Sequence, residues 1–133
     1  MILVDSSVWI DFFRKTQNPQ TLRLAQCLQG NDAEIGVADL VIYEVMRGFP
    51  LAKDQAHARE LLLPLSVVEI GGLDNALLAA EHYNVLRAKG YTIRSPIDVL
   101  LASYCITHHH LLLHRDADFD VLETLRGLKV WSQ

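Results

Sequence analysis

Cysteine, long apolar runs and surplus positive charge are all scarce in this chain, and each scarcity excludes a class of protein. The two cysteines, Cys27 and Cys105, lie far apart and show neither zinc-site spacing nor a disulfide framework. Cys105 sits in an apolar run and reads as core filler, which suits a reducing cytoplasm. No apolar stretch approaches the ~20 residues of a membrane-spanning helix, and no basic segment leads into a signal-like apolar core, so we expect a soluble cytoplasmic protein. With 12 Lys and Arg against 16 Asp and Glu, the net charge is −4. Bulk positive charge therefore does not hold this chain on nucleic acid; a phosphate-bearing partner would need a local basic surface or a bound cation. No repeat, low-complexity segment or linker interrupts the sequence.

What is present is a half-hydrophobic chain of 133 residues, enough for one core and one domain spanning 1–133. Its apolar pattern alternates between short strands and helices. Residues 2–5 read as a strand, and Val8, Trp9, Phe12 and Phe13 then recur at helical spacing to about Arg14, with Ser6 or Ser7 available as a cap. QNPQ breaks that helix, and Thr21 to Gln29 offers a second, closed by Gly30. A strand over 34–38 leads through Asp39, a plausible N-cap, into a helix ending at Gly48 with Glu44 inside it. A helix over 53–63, a strand over 66–70, a long helix over 74–89 and the stop at Gly90 follow. Ser95-Pro96-Ile97-Asp98 has a serine at the cap, proline at the first helical position and an acid at the third. The helix it opens, VLLASYCI, is apolar nearly all round and should be buried. Strands over 111–113 and 128–131 flank HRDADFD and a short helix over 121–125. Strands alternating with helices predict an α/β fold with a central parallel sheet of four to five strands covered on both faces. Right-handed crossovers put the loops after strands one, two and four on one edge, where ligands bind in such folds.

Acidic residues fall on that edge. Asp5 follows the first strand, Glu44 lies in the helix after the second, Asp98 opens a buried helix, and Asp116 with Asp118 follows the fourth strand. Taken singly, each has an ordinary structural use: Asp5 as a turn or cap, Glu44 as an exposed helix residue, Asp98 as the acid of a capping box, HRDADFD as a solvated turn. Taken together they would repel unless neutralised. Hard divalent cations are the usual remedy, and magnesium and manganese take carboxylate oxygen without needing histidine or cysteine.

VDSSVWIDFF, VIYEVMRGF, SPIDVLLASYCI and LLLHRDADFD, in this order and spacing across nearly the whole chain, resemble the motifs of PIN-domain proteins, and closely those of the VapC toxin ribonucleases. The resemblance implies an α/β/α domain, usually a homodimer, inhibited by a VapB-like antitoxin whose C-terminal segment covers the acidic groove and through which alone DNA would be contacted. It implies catalytic roles for Asp5, Glu44, Asp98 and Asp116, and metal ligation by Asp5, Asp98, Asp116 and Asp118, with Mg2+ or Mn2+ as cofactor. One departure is His114, where family members often carry threonine or serine.

Such a site would hydrolyse RNA phosphodiester bonds to 5′-phosphate and 3′-hydroxyl ends with no side-chain nucleophile. Ser6 and Ser7 then read as supporting groups. Arg14, Lys15, Arg47 and Arg115 lie near the acidic motifs in sequence and are candidates to meet the phosphates of single-stranded or looped RNA, against an equal expectation that each is an ordinary surface residue. His108-His109-His110 reads as a helix end before a metal site, because successive side chains point in different directions. Trp9, Phe12 and Phe13 read as core or dimer surface. Three competing readings have distinct signatures. A PIN-fold regulator would retain RNA without cutting it. A DNA-cutting relative would carry extra segments for duplex binding, which this short chain lacks. A phosphoacceptor receiver would need an aspartate after the third strand and a lysine after the fifth; Ile70-Gly71-Gly72 and Trp131-Ser132-Gln133 offer neither.

Overall fold

In the computed structural model, residues 1–30 and 33–131 are described; Ser132 and Gln133 of the last sequence motif lie outside them. Five strands, β1 (Ile2–Val4), β2 (Ile35–Ala38), β3 (Ser66–Val68), β4 (Leu111–Leu113) and β5 (Lys129–Val130), pair in the order β3-β2-β1-β4-β5, all parallel. Ile2 lies opposite Ile35 on one side and Leu111 on the other, so β1 is the centre of the sheet. Its three residues are all buried, as a strand covered on both faces requires.

Helices α1 (Ser6–Phe13), α2 (Pro19–Gln29), α3 (Asp39–Met46) and α4 (Ala52–Leu62) pack with one another, and α5 (Leu73–Ala88) packs with α6 (Pro96–His108) and α7 (Asp120–Arg126). Right-handed crossovers account for this division. The chain steps outward from β1 through β2 to β3, then returns past β1 to β4 and β5, so its connections change face at β1. The resulting α/β/α arrangement puts a switch point beside β1, the usual position of a crevice at the carboxyl edge. Trp9, with no exposed surface, anchors α1 in the core, while Phe12 and Phe13 pack against that core. No helix among the described residues is long and apolar enough to cross a membrane.

Several boundaries differ from the sequence expectation. Strands one, two, three and five are shorter than expected, because pairing stops where the loops turn away. Asp5, rather than Ser6 or Ser7, caps α1, its carboxylate accepting the Ser7 amide at 3.1 Å. Helix α2 begins at Pro19 instead of Thr21, because Asn18 and Thr21 close a reciprocal capping box. Asp39 sits inside α3, with Ala38 at the cap position, and its Oδ1 accepts from the amides of Leu40 and Ile70, both at 2.9 Å. That pair ties the start of α3 to the chain leaving β3. Ser95 occupies the cap position of α6 without a side-chain cap bond, and the helix is buried as expected. His108 and His109 close α6, His109 in the left-handed conformation, and Cys105 is core.

Candidate active site

The carboxyl edge beside β1 gathers the five acids. Asp5 is delivered by the turn from β1 into α1; its amide donates to the Leu113 carbonyl at 2.9 Å, which locks the exits of β1 and β4 together. Glu44 comes from the middle of α3, the first turn of α6 supplies Asp98, and Asp116 with Asp118 comes from the loop after β4, where Asp116 caps a turn of 3-10 helix over Ala117–Phe119. Carboxylate oxygens of Asp5, Glu44 and Asp98 lie within 4.8 Å of one another, and so do those of Asp98, Asp116 and Asp118. Asp98 belongs to both groups.

The electrostatics follow from crowding and burial. Asp5 is 2% exposed and Asp98 5%. Burial, followed by the charges of Asp5, Asp116, Glu44 and Asp118, pushes the Asp98 carboxyl up to about 8. Burial also raises Asp5, opposed by hydrogen bonds from Ser7 and Ser6 and by the charge of His114. Glu44 is raised by burial and by Asp5, against a hydrogen bond from Ser6 and the charge of Arg47. Among the described residues no cation forms an ion pair with Asp5, Glu44 or Asp98: His114 and Arg47 act on Asp5 and Glu44 only through their charge, and Arg94, on Asp118 at 3.5 Å, is 84% exposed at the side chain. Asp5 Oδ1 and Glu44 Oε1 are buried with no hydrogen-bond partner. Bare acceptor oxygens in an all-oxygen cluster fit a hard divalent cation, which supplies the charge and the ligation they lack.

Supporting bonds set the orientation of the acids. The Ser7 hydroxyl donates to Asp5 Oδ2 at 2.6 Å and accepts the Arg115 amide at 3.3 Å, so one side chain spans the β1 and β4 exits. His114 accepts the Asp116 amide on Nδ1 at 3.2 Å and lays its ring against Phe119, 4.7 Å between centroids. Thus the imidazole organises the loop backbone at the position where a hydroxyl was expected. Arg115 donates to Asp11 at 2.9 Å. Arg47 stacks over Tyr43 at 5.2 Å, and its charge reaches Glu44. Arg14 and Lys15 fall beyond the C-terminal end of α1, a run of eight residues or roughly 12 Å from its Asp5 end, and are not gathered with the acids.

Sequence reasoning passed over Arg94. With Ser95, Asp98, Asp116 and Asp118 it lines a cavity of about 320 Å³ at the acidic edge. Its place just before SPID was the available signal, since a residue preceding a helix N-terminus shares the edge that the helix's first acid occupies.

Comparison with known proteins bears on the family and the fold. The family model described as PIN domain matches residues 2–125. A VapC ribonuclease of Mycobacterium bovis and Ribonuclease VapC11 of Mycobacterium tuberculosis are each 31% identical over 134 residues, covering 99% of this chain and 98% of the relative. Among solved structures, a DNA-bound VapBC from Salmonella typhimurium superposes with a TM-score of 0.74 at 15% identity, covering 98% of this chain and 96% of that one, a likeness of fold.

Proposed function

The chain belongs to the PIN domain family, among its VapC ribonucleases, and on that premise we propose that it is the cytoplasmic toxin of a toxin–antitoxin pair, a Mg2+- or Mn2+-dependent endoribonuclease. The single observation that carries the reading is the pair of carboxylate groups sharing Asp98, crowded around two buried aspartates, Asp5 and Asp98, with unpartnered buried oxygens on Asp5 and Glu44. Asp5, Asp98, Asp116 and Asp118 would hold the metal, and Glu44 completes the pocket. When bound, a divalent cation supplies Lewis-acid stabilisation of phosphate charge and makes water a competent nucleophile near neutral pH.

The residues of the chain do the positioning. Ser7 and the α1 N-terminus fix the Asp5 carboxylate, leaving Oδ1 free. His114 holds the loop that carries Asp116 and Asp118. Arg94 and Arg115 stand at the rim, exposed enough to meet phosphates on either side of the cut. In-line attack at such a centre leaves a 5′-phosphate and a 3′-hydroxyl. The Salmonella structure of like fold is a DNA-bound VapBC; in keeping with the family its motifs resemble, we propose that this chain acts as a homodimer, is silenced by a VapB-like antitoxin laid over the acids, and meets DNA only through that partner.

Incubating the purified protein with structured and single-stranded RNA tests the reading. Cleavage should require Mg2+ or Mn2+, stop with EDTA, and be lost in Asp5→Asn and Asp98→Asn. Asparagine is as good an N-cap as aspartate, so the first variant keeps α1 capped and removes only the charge. RNA bound but uncut across several divalent ions would favour the regulator instead.

A further inference from the structure

A second cavity of about 320 Å³ opens where α2, the end of β4, α7 and the residue after β5 meet, and nothing in the catalytic scheme uses it. Gln20, Arg23, His114, Asp120, Glu123 and Trp131 line its polar and aromatic parts. On one wall the Arg23 guanidinium lies over the Trp131 ring, 4.6 Å from its centroid. On another, α7 presents Asp120 and Glu123, both exposed and neither joined to a cation among the described residues. The volume is at the small end of ligand pockets, roughly 300–1,000 Å³. His114 belongs both to this cavity and to the loop of Asp116, two residues on, a span of at most about 7 Å. The two sites share no lining residue, and this backbone link is what puts the cavity at the scale of one nucleotide from the acids.

The lining matches a flat heterocycle that carries amino hydrogens. Unstacked RNA bases are gripped by stacking on aromatic rings or arginine planes and by hydrogen bonds to their edges. Carboxylates accept only, so they select edges that donate. Uracil offers a carbonyl where cytosine and adenine offer an amino group; its N3–H can still donate to one carboxylate, but the carboxylate facing the carbonyl is repelled and left unpaired.

We propose that this cavity binds one unstacked base of the RNA substrate beside the cleaved phosphate, stacked on the Arg23–Trp131 pair and selected by Asp120 and Glu123 for an exocyclic amino group. The assignment rests on the ribonuclease reading for its substrate, and the test separates the two. Cleavage sites mapped on random-sequence single-stranded RNA should show uracil depleted about tenfold at a single position near the cut, the scale of one good base contact. The double variant D120N/E123Q, whose amides can donate to a carbonyl, should bring that depletion within about twofold. In parallel, with Ca2+ and short oligoribonucleotides, quenching of Trp131 fluorescence should report binding of oligo(A) and oligo(C) about tenfold tighter than oligo(U), and W131F should lose the signal, since Trp9 is fully buried. Base-selective quenching without cleavage would sink the nuclease and keep the cavity. Cleavage with uniform base use, or quenching that ignores base identity or survives in W131F, overturns the inference.

Discussion

Asp98 is the residue on which the site turns, because it alone belongs to both carboxylate groups. Its carboxyl, pushed up to about 8 by burial and four neighbouring acids, keeps its proton in the metal-free fold far above the pH at which an unfolded aspartate loses it. Its contribution to stability is therefore full below about pH 4 and is lost as pH rises through about 8. Thermal unfolding in EDTA should therefore fall in Tm between pH 5 and pH 9, and Asp98→Asn should flatten that fall, raising Tm at pH 8.5 by roughly 3–6 °C, about 1 kcal/mol for a chain of this size. Mg2+ should restore Tm most at the alkaline end, since binding must displace the shared protons. A wild-type Tm independent of pH over this range would contradict the repulsion. Glu44, inside α3, was singled out only beside the four aspartates and the family motif; those aspartates were legible in the sequence because each follows a strand or opens a helix at the ligand-binding edge. The Ser7 bridge and the ring of His114 under Asp116 were not, since both depend on β1 and β4 being neighbours, a pairing between segments more than a hundred residues apart.

At the scale of elements, α3 is the mount for Glu44, and its start is fixed by Asp39, which accepts from Leu40 and from Ile70 beyond β3. Asp39→Ala leaves two amides without that acceptor and should cost about 1–3 kcal/mol in denaturant unfolding, with weaker Mg2+ binding as α3 loosens. Unchanged stability would show the tie to be incidental. Helices announced by strong punctuation were readable in advance: Pro96 at the first turn of α6 and Gly90 beyond α5 mark real ends. Where the end is set by a side chain reaching a backbone amide, sequence alone offered several candidates, and the structure chose Asp5 over Ser6 or Ser7 and began α2 at Pro19. Strand lengths other than that of β4 were overestimated for a similar reason. Apolar residues continue past the last paired residue, as in Ile70, which is buried outside β3.

At the scale of the whole molecule, the α/β/α architecture and its carboxyl-edge crevice followed from the alternation of short strands and helices, while the strand order, with the face change at β1, is set by pairing between distant segments and was not legible there. With a net charge of −4 on the chain, the proposed RNA substrate would be held by a few local cations rather than by a basic surface, and we propose Arg94 and Arg115, both exposed, as the chief ones. Binding of single-stranded RNA to Asp98→Asn in Ca2+ should weaken with a shallow salt slope, about −1 to −2 in log K against log salt, for two or three phosphate contacts. Arg94→Ala should make it shallower by about 0.7; a slope steeper than about −4 would point to an extended basic track instead. Cleavage of RNA by a carboxylate-held cation with water as the nucleophile leaves its mark in the chemistry of the product ends, which tests it most directly. RNA cleaved by the purified protein in Mn2+ should carry 5′-phosphate and 3′-hydroxyl termini at every cut; 2′,3′-cyclic phosphate ends, which need only an activated ribose hydroxyl, would contradict it.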